Sequence, residues 1–71
     1  MEGENAMAGK LTSDEIKAAG RLIDKIYREQ GLDESREALR ELKARMIMCG
    51  NTDSNSKSDF HEYTGYTWDS I

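Results

Sequence analysis

Residues 12–50 read TSDEIKAAGRLIDKIYREQGLDESREALRELKARMIMCG and contain the clearest secondary-structure signals in this chain of 71 residues. The segment opens on a capping box: the Thr12 hydroxyl can accept from an amide of the first turn, and the Glu15 carboxylate can reach back to the Thr12 amide. Apolar residues then recur at helical spacing. This pattern predicts a first helix from Ser13 to Gln30.

A second helix is predicted directly after the first. Gly31 is expected to end the first helix in a left-handed conformation, with Leu32 packing back onto the last turn. Asp33 then serves as the N-cap of a helix from Glu34 to about Cys49, which stops at Gly50. A connection of about two or three residues forces the two helices to lie antiparallel.

Each predicted helix has one apolar face, and the two faces are expected to form a shared core. Two helices alone carry too few apolar side chains to offset the conformational entropy lost on folding. The predicted fold is therefore all-α: an antiparallel helical hairpin, residues 11–50, that dimerises into a four-helix bundle or meets a helix or groove of another protein. The predicted core and dimer residues are Ile16, Ala19, Ile23, Ile26, Tyr27, Leu39, Leu42 and Met46.

The segments outside the hairpin have a different composition. Residues 1–10 are small and polar and are predicted to be a disordered N-terminal segment. Residues 51–59 contain no apolar residue, which predicts a flexible polar linker. Residues 60–71 hold four of the five aromatic side chains, of types that favour extended structure or turns over helix.

The aromatic segment allows two main interpretations, with an unstructured tail as a third. It can contact a larger protein, because aromatic side chains carry much of the energy of interface hot spots. It can instead fold back onto the open side of the hairpin and complete the core. Two adjacent apolar residues at the end of the second helix lie off its main face and would form an exposed patch or accept the aromatic tail. The predicted protein-binding residues are Ile47, Met48, Phe60, Tyr63, Tyr66, Trp68 and Ile71.

A basic stripe on the first helix suggests an alternative function in RNA or DNA binding. Lys17, Arg21, Lys25 and Arg28 fall together on the side opposite the apolar face. Asp24 interrupts this stripe, the two ends of the chain are acidic, and the net charge is −4. The solvated face of an amphipathic helix is the favoured explanation of the stripe, so nucleic-acid binding is the second hypothesis.

No residue pattern indicates catalysis, a cofactor or a metal. His61 is the only histidine and Cys49 the only cysteine, whereas structural zinc sites need about four well-spaced ligands. A single cysteine excludes an internal disulfide, and no apolar run is long enough for a membrane span or a signal sequence. We therefore expect a cytoplasmic, non-enzymatic protein that is not inserted in a membrane and needs no cofactor.

In architecture alone, the predicted hairpin resembles small dimeric helical regulators, with no shared residue motif. The sequence thus predicts a small interaction protein that self-associates through its hairpin and binds a larger protein, inhibiting or modulating it.

Overall fold

A computed structural model describes residues 10–71 and confirms the all-α class, with no strand in that range. It contains three helices, α1 (Ser13–Gln30), α2 (Leu32–Met48) and α3 (Ser54–Thr64), followed by a single 3-10 turn (Trp68–Ser70). Residues 1–9, most of the predicted disordered segment, lie outside the described residues.

The two helices of the predicted hairpin are present. The capping box of α1 is formed: the Glu15 amide donates to the Thr12 hydroxyl (3.2 Å), and the Thr12 amide donates to the Glu15 carboxylate (2.8 Å). A single residue, Gly31, separates α1 from α2, and its φ of 102° is accessible essentially only to glycine. The prediction that Asp33 is the N-cap is wrong: α2 already begins at Leu32, which stays exposed rather than packing back.

The predicted flexible linker at residues 51–59 is wrong, because residues 54–59 form the first half of α3. Asp53 is the N-cap, and its carboxylate accepts from the Ser56 amide (3.4 Å) and hydroxyl (2.7 Å). Gly65 ends the helix in the left-handed conformation. The polar residues of this segment have little helix propensity of their own, so α3 is stabilised by its cap and by tertiary packing.

The core lies where α1 packs against both α2 and α3. Its buried apolar side chains are Ile16, Ile23, Leu39, Leu42, Met46 and Phe60. Five of these six were predicted as core residues, and the predicted Ala19 and Ile26 are half-buried. Tyr27 lies outside the core of the single chain, since it is 53% exposed at the end of α1, and its place in a dimer interface stays a prediction. Phe60, from the third helix, takes the central position that the hairpin leaves open.

At Gly20 the backbones of α1 and α3 approach each other closely. It is buried, and a Cβ atom added there would overlap the Tyr63 carbonyl of α3, whose carbon would lie 2.9 Å away. Only glycine therefore allows the two backbones to reach this separation.

A polar cluster joins the start of α1 to the α2–α3 connection. The buried Asn51 side chain accepts from the Leu11 amide (2.7 Å) and donates to the Leu11 carbonyl (3.0 Å) and to the Ser56 hydroxyl (3.1 Å). Lys10 pairs with Asp53 at 3.2 Å. These contacts bring the beginning of α1 beside the end of α2, so the two helices run antiparallel.

Candidate protein-binding site

The aromatic segment folds back onto the hairpin, which is the second of the two arrangements that its composition allowed. Phe60 is fully buried, and its ring meets the Trp68 ring edge-on, with the centroids 5.4 Å apart. The Lys43 ammonium donates to the main-chain oxygens of Trp68 (2.7 Å) and Ile71 (2.8 Å) and lies 5.0 Å from the Trp68 ring centroid. In this fold Phe60 cannot contact a partner, and Trp68 and Ile71 are only partly accessible.

Two further aromatic residues of the predicted site, Tyr63 and Tyr66, are half-buried and line a groove between the three helices, which we call the aromatic groove. It encloses about 490 Å³, and its floor includes Gly20, Ile23 and Ser35. Its walls carry Tyr63 and Tyr66 together with residues of α1 and α2, among them Tyr27, Leu32, Arg21 and Asp24. The groove thus collects residues that the sequence had assigned separately to the core, the tail and the basic stripe.

Ile47 and Met48 are exposed at the end of α2, as expected if they do not accept the aromatic tail. Met48 is 88% exposed and Ile47 about half. Consecutive helical residues point about 100° apart, so these two side chains do not form one face. Neither lines the aromatic groove. They are isolated apolar positions, which are common on protein surfaces.

A second groove runs between α1 and α2, and no residue of α3 lines it. We call it the hairpin groove. It consists of three adjoining depressions of about 300, 210 and 230 Å³ that share lining residues and are therefore continuous. Its apolar lining comprises Leu11, Ala18, Ala19, Leu22, Ile23, Ile26, Ala38 and Leu42. Leu22, at its centre, is 58% exposed.

Leu22 and Ala38 were not predicted as site residues from the sequence. Leu22 lies at the edge of the apolar stripe of α1, and Ala38 belongs to the apolar face predicted for α2. Their position matters only once it is known which side of the hairpin α3 covers. The residues predicted for dimerisation, Ala19, Ile26 and Leu42, do reach this groove.

The rim of the hairpin groove is predominantly acidic. It carries Glu15, Glu34, Glu37 and Glu41 against a single cation, Arg45. Within residues 10–71 the ion pairs are Lys10–Asp53 and Arg28–Asp24, so none of these rim groups is paired there. Glu15 is engaged by the capping box. The three glutamates of α2 are exposed and directed to solvent around an apolar floor.

The basic stripe of α1 lies on the exposed surface. Lys17, Arg21, Lys25 and Arg28 are all exposed. Arg28 is paired with Asp24 at 3.0 Å, and Arg21 belongs to the wall of the aromatic groove. The structure therefore leaves Lys17 and Lys25 as the members of the stripe with no assigned contact among the described residues.

Within residues 10–71 there is no group of three or more His, Cys, Asp or Glu side chains arranged to hold a metal ion. His61 is exposed on α3, and Cys49 is a half-buried free thiol at the end of α2. None of the described helices has the length and apolar character that crossing a membrane requires.

Comparisons with models of protein families, with curated proteins and with solved structures found no match to this chain. The hairpin groove, apolar along its floor and acidic at its rim, is thus the feature on which a functional assignment rests.

Proposed function

We propose that this protein is a non-catalytic interaction module that binds a helical segment of a larger protein in the hairpin groove and thereby modulates that protein. The observation that carries the proposal is the exposed Leu22 in the middle of a continuous apolar channel. The single, unpaired cysteine favours a reducing, intracellular site of action.

The shape of the channel favours a helix as the bound element. α1 and α2 are 18 and 17 residues long and lie side by side, so the depression between them extends along several helical turns. An amphipathic helix laid into such a depression buries residues at i, i+3, i+4 and i+7. The small side chains Ala18, Ala19 and Ala38 in the lining allow a third helix to approach closely.

Charge substitution at the groove tests the proposal. Leu22→Asp places a carboxylate in the apolar channel, and we expect it to abolish capture of the partner from a cell lysate. Met48→Asp is the matched control, because Met48 is even more exposed and lies outside the groove. Both variants should keep the helical circular dichroism of the parent chain. If the Leu22→Asp variant still captures the partner and the Met48→Asp variant does not, the binding site lies at the end of α2 and not in the hairpin groove.

A second copy of this chain is the other possible occupant of the hairpin groove, as the predicted dimerisation of the hairpin requires. α3 already covers one side of the hairpin, so the chain has a core of its own and dimerisation is not needed to bury Ile16, Leu39 or Met46. Dimerisation into a four-helix bundle stays a prediction. Light scattering of the chain at micromolar concentration distinguishes a monomer of 8.0 kDa from a dimer.

RNA or DNA binding through α1 remains the second candidate function, favoured by the exposure of all four basic residues of the stripe. Its binding should weaken with salt and should be lost in the double variant Lys17→Glu, Arg21→Glu. The net charge of −4 disfavours this function relative to protein binding. A filter-binding assay with no retention at low salt would exclude it.

A further inference from the structure

We infer that the segment accommodated by the hairpin groove is a basic amphipathic helix, with Lys or Arg residues flanking an aliphatic face. This inference rests on the proposed function, and it adds the chemical class of the partner. It follows from the distribution of charge around the groove.

The acidic groups are concentrated along one side of the groove. Glu34, Glu37 and Glu41 succeed one another at intervals of three and four residues on α2, which places them in a row beside Ile26 and Ala38. All three are exposed, and no ion pair within residues 10–71 neutralises them. A row of like charges destabilises the free helix slightly because the charges repel one another, and a cationic partner would relieve this repulsion.

The groove also has an electrostatic polarity. Near the α1–α2 turn its rim carries Glu34 and Glu37 beside Gln30, whereas the opposite end carries Arg45 together with Glu15, which is held by the capping box. A complementary helix therefore has its cations grouped toward the end that meets the turn, and a neutral or acidic residue at the end that meets Arg45.

The same charges argue against the other occupants of the groove. A second copy of this chain would bring an identical surplus of carboxylates to the interface, and like charges facing each other weaken association. A nucleic acid would face the same repulsion from its phosphates. A cationic, aliphatic helix is the occupant that satisfies both the apolar floor and the acidic rim.

The test uses the full chain and three fluorescent helical peptides of about five turns that share one Leu/Ala face. Their flanking residues are Lys in the first, Glu in the second and Gln in the third. Fluorescence anisotropy should show the Lys peptide binding at least about tenfold more tightly than the Gln peptide, and the Glu peptide more weakly than both. This preference should shrink as salt is raised from about 50 to 500 mM, because the charges are exposed.

The matched variants are Glu37→Lys, Glu41→Lys in the groove and Glu62→Lys, Asp69→Lys outside it. Both pairs change the net charge equally, and all four positions are exposed. The groove pair should weaken binding of the Lys peptide about tenfold and improve binding of the Glu peptide, whereas the outside pair should leave the order of the three peptides unchanged.

Three results would overturn the inference, and they differ in what they imply for the proposed function. Equal binding of all three peptides, lost in Leu22→Asp, would show a helix-binding groove without a preference for cations. An equal loss of Lys-peptide binding in both charge variants would show that only net charge matters. Failure of every peptide to bind, together with a dimer by light scattering, would overturn the proposed function as well.

Discussion

Asn51 joins two segments that lie 40 residues apart in the chain. Its side-chain amide pairs with both the amide and the carbonyl of Leu11, in the way that one strand pairs with another. It also reaches Ser56, which in turn donates to the N-cap Asp53. A single buried side-chain amide thus connects the beginning of α1 with the beginning of α3, and no short-range sequence pattern predicts such a role.

Asn51→Ala should lower the free energy of unfolding by about 2–4 kcal/mol, because it leaves the main-chain groups of Leu11 without partners in a part-buried site. Asn55→Ala is the matched control: Asn55 is exposed on α3, and its replacement should change stability by less than about 0.5 kcal/mol. Urea denaturation followed by circular dichroism measures both. Equal, small effects would show that the Asn51 contacts do not stabilise the fold.

Gly20→Ala separates helix propensity from packing. Propensity alone would make alanine more stable by about 1 kcal/mol in the middle of α1. The overlap of its Cβ with the Tyr63 carbonyl should reverse that sign and destabilise the protein by about 1–3 kcal/mol. Ala18→Gly, on the exposed side of the same helix, measures the effect of helix propensity alone and should lower the free energy of unfolding by about 1 kcal/mol. A Gly20→Ala variant that is more stable than the parent would contradict the close contact between α1 and α3.

At the scale of the elements, the sequence predicted the bounds of α1 and placed α2 to within two residues, because the Thr12 capping box, the Gly31 stop and apolar spacing of 3.6 residues indicate the same structure. It did not predict α3. The first half of that helix is Ser, Asn, Lys and Asp, whose composition is typical of a linker, and its only apolar side chains packed against the core are Phe60 and Tyr63. The helical state of such a segment depends on contacts with residues far away in the chain, which local patterns do not contain.

The N-cap of α3 predicts a dependence of stability on pH. The Ser56 hydrogen bonds, followed by the contact with Lys10, lower the pKa of the Asp53 carboxyl from 3.8 to about 2. Because the pKa is lower in the folded state, the stabilising contribution of Asp53 is fully present above pH 4 and is lost as the pH falls toward 2. The midpoint of urea unfolding should therefore decrease between pH 4 and pH 2.

Asp53→Asn isolates this contribution, since asparagine caps a helix about as well as aspartate but does not titrate in this range. The variant should lose less stability than the parent between pH 4 and pH 2. Parallel pH profiles for the two proteins would assign the acid sensitivity to other carboxylates.

At the scale of the whole molecule, the third helix determines which part of the apolar surface of α1 and α2 is covered. The sequence identified most of the core, but it implied that the hairpin had to find a second copy or a partner to form one. Phe60 and the residues after it cover one side of the hairpin, and a continuous apolar groove stays open between α1 and α2 on the other side. The location of the hairpin groove therefore follows from the packing of α3, and the sequence alone could not distinguish the covered face from the open one.

The most direct test of helix binding in the hairpin groove is an NMR titration of the isotopically labelled chain with the Lys-flanked peptide. We expect the largest amide shifts along the groove, at Ala19, Leu22, Ile26 and Ala38, with small changes at Tyr63 and Tyr66. Shifts concentrated in the aromatic groove, or at Ile47 and Met48, would contradict binding between α1 and α2.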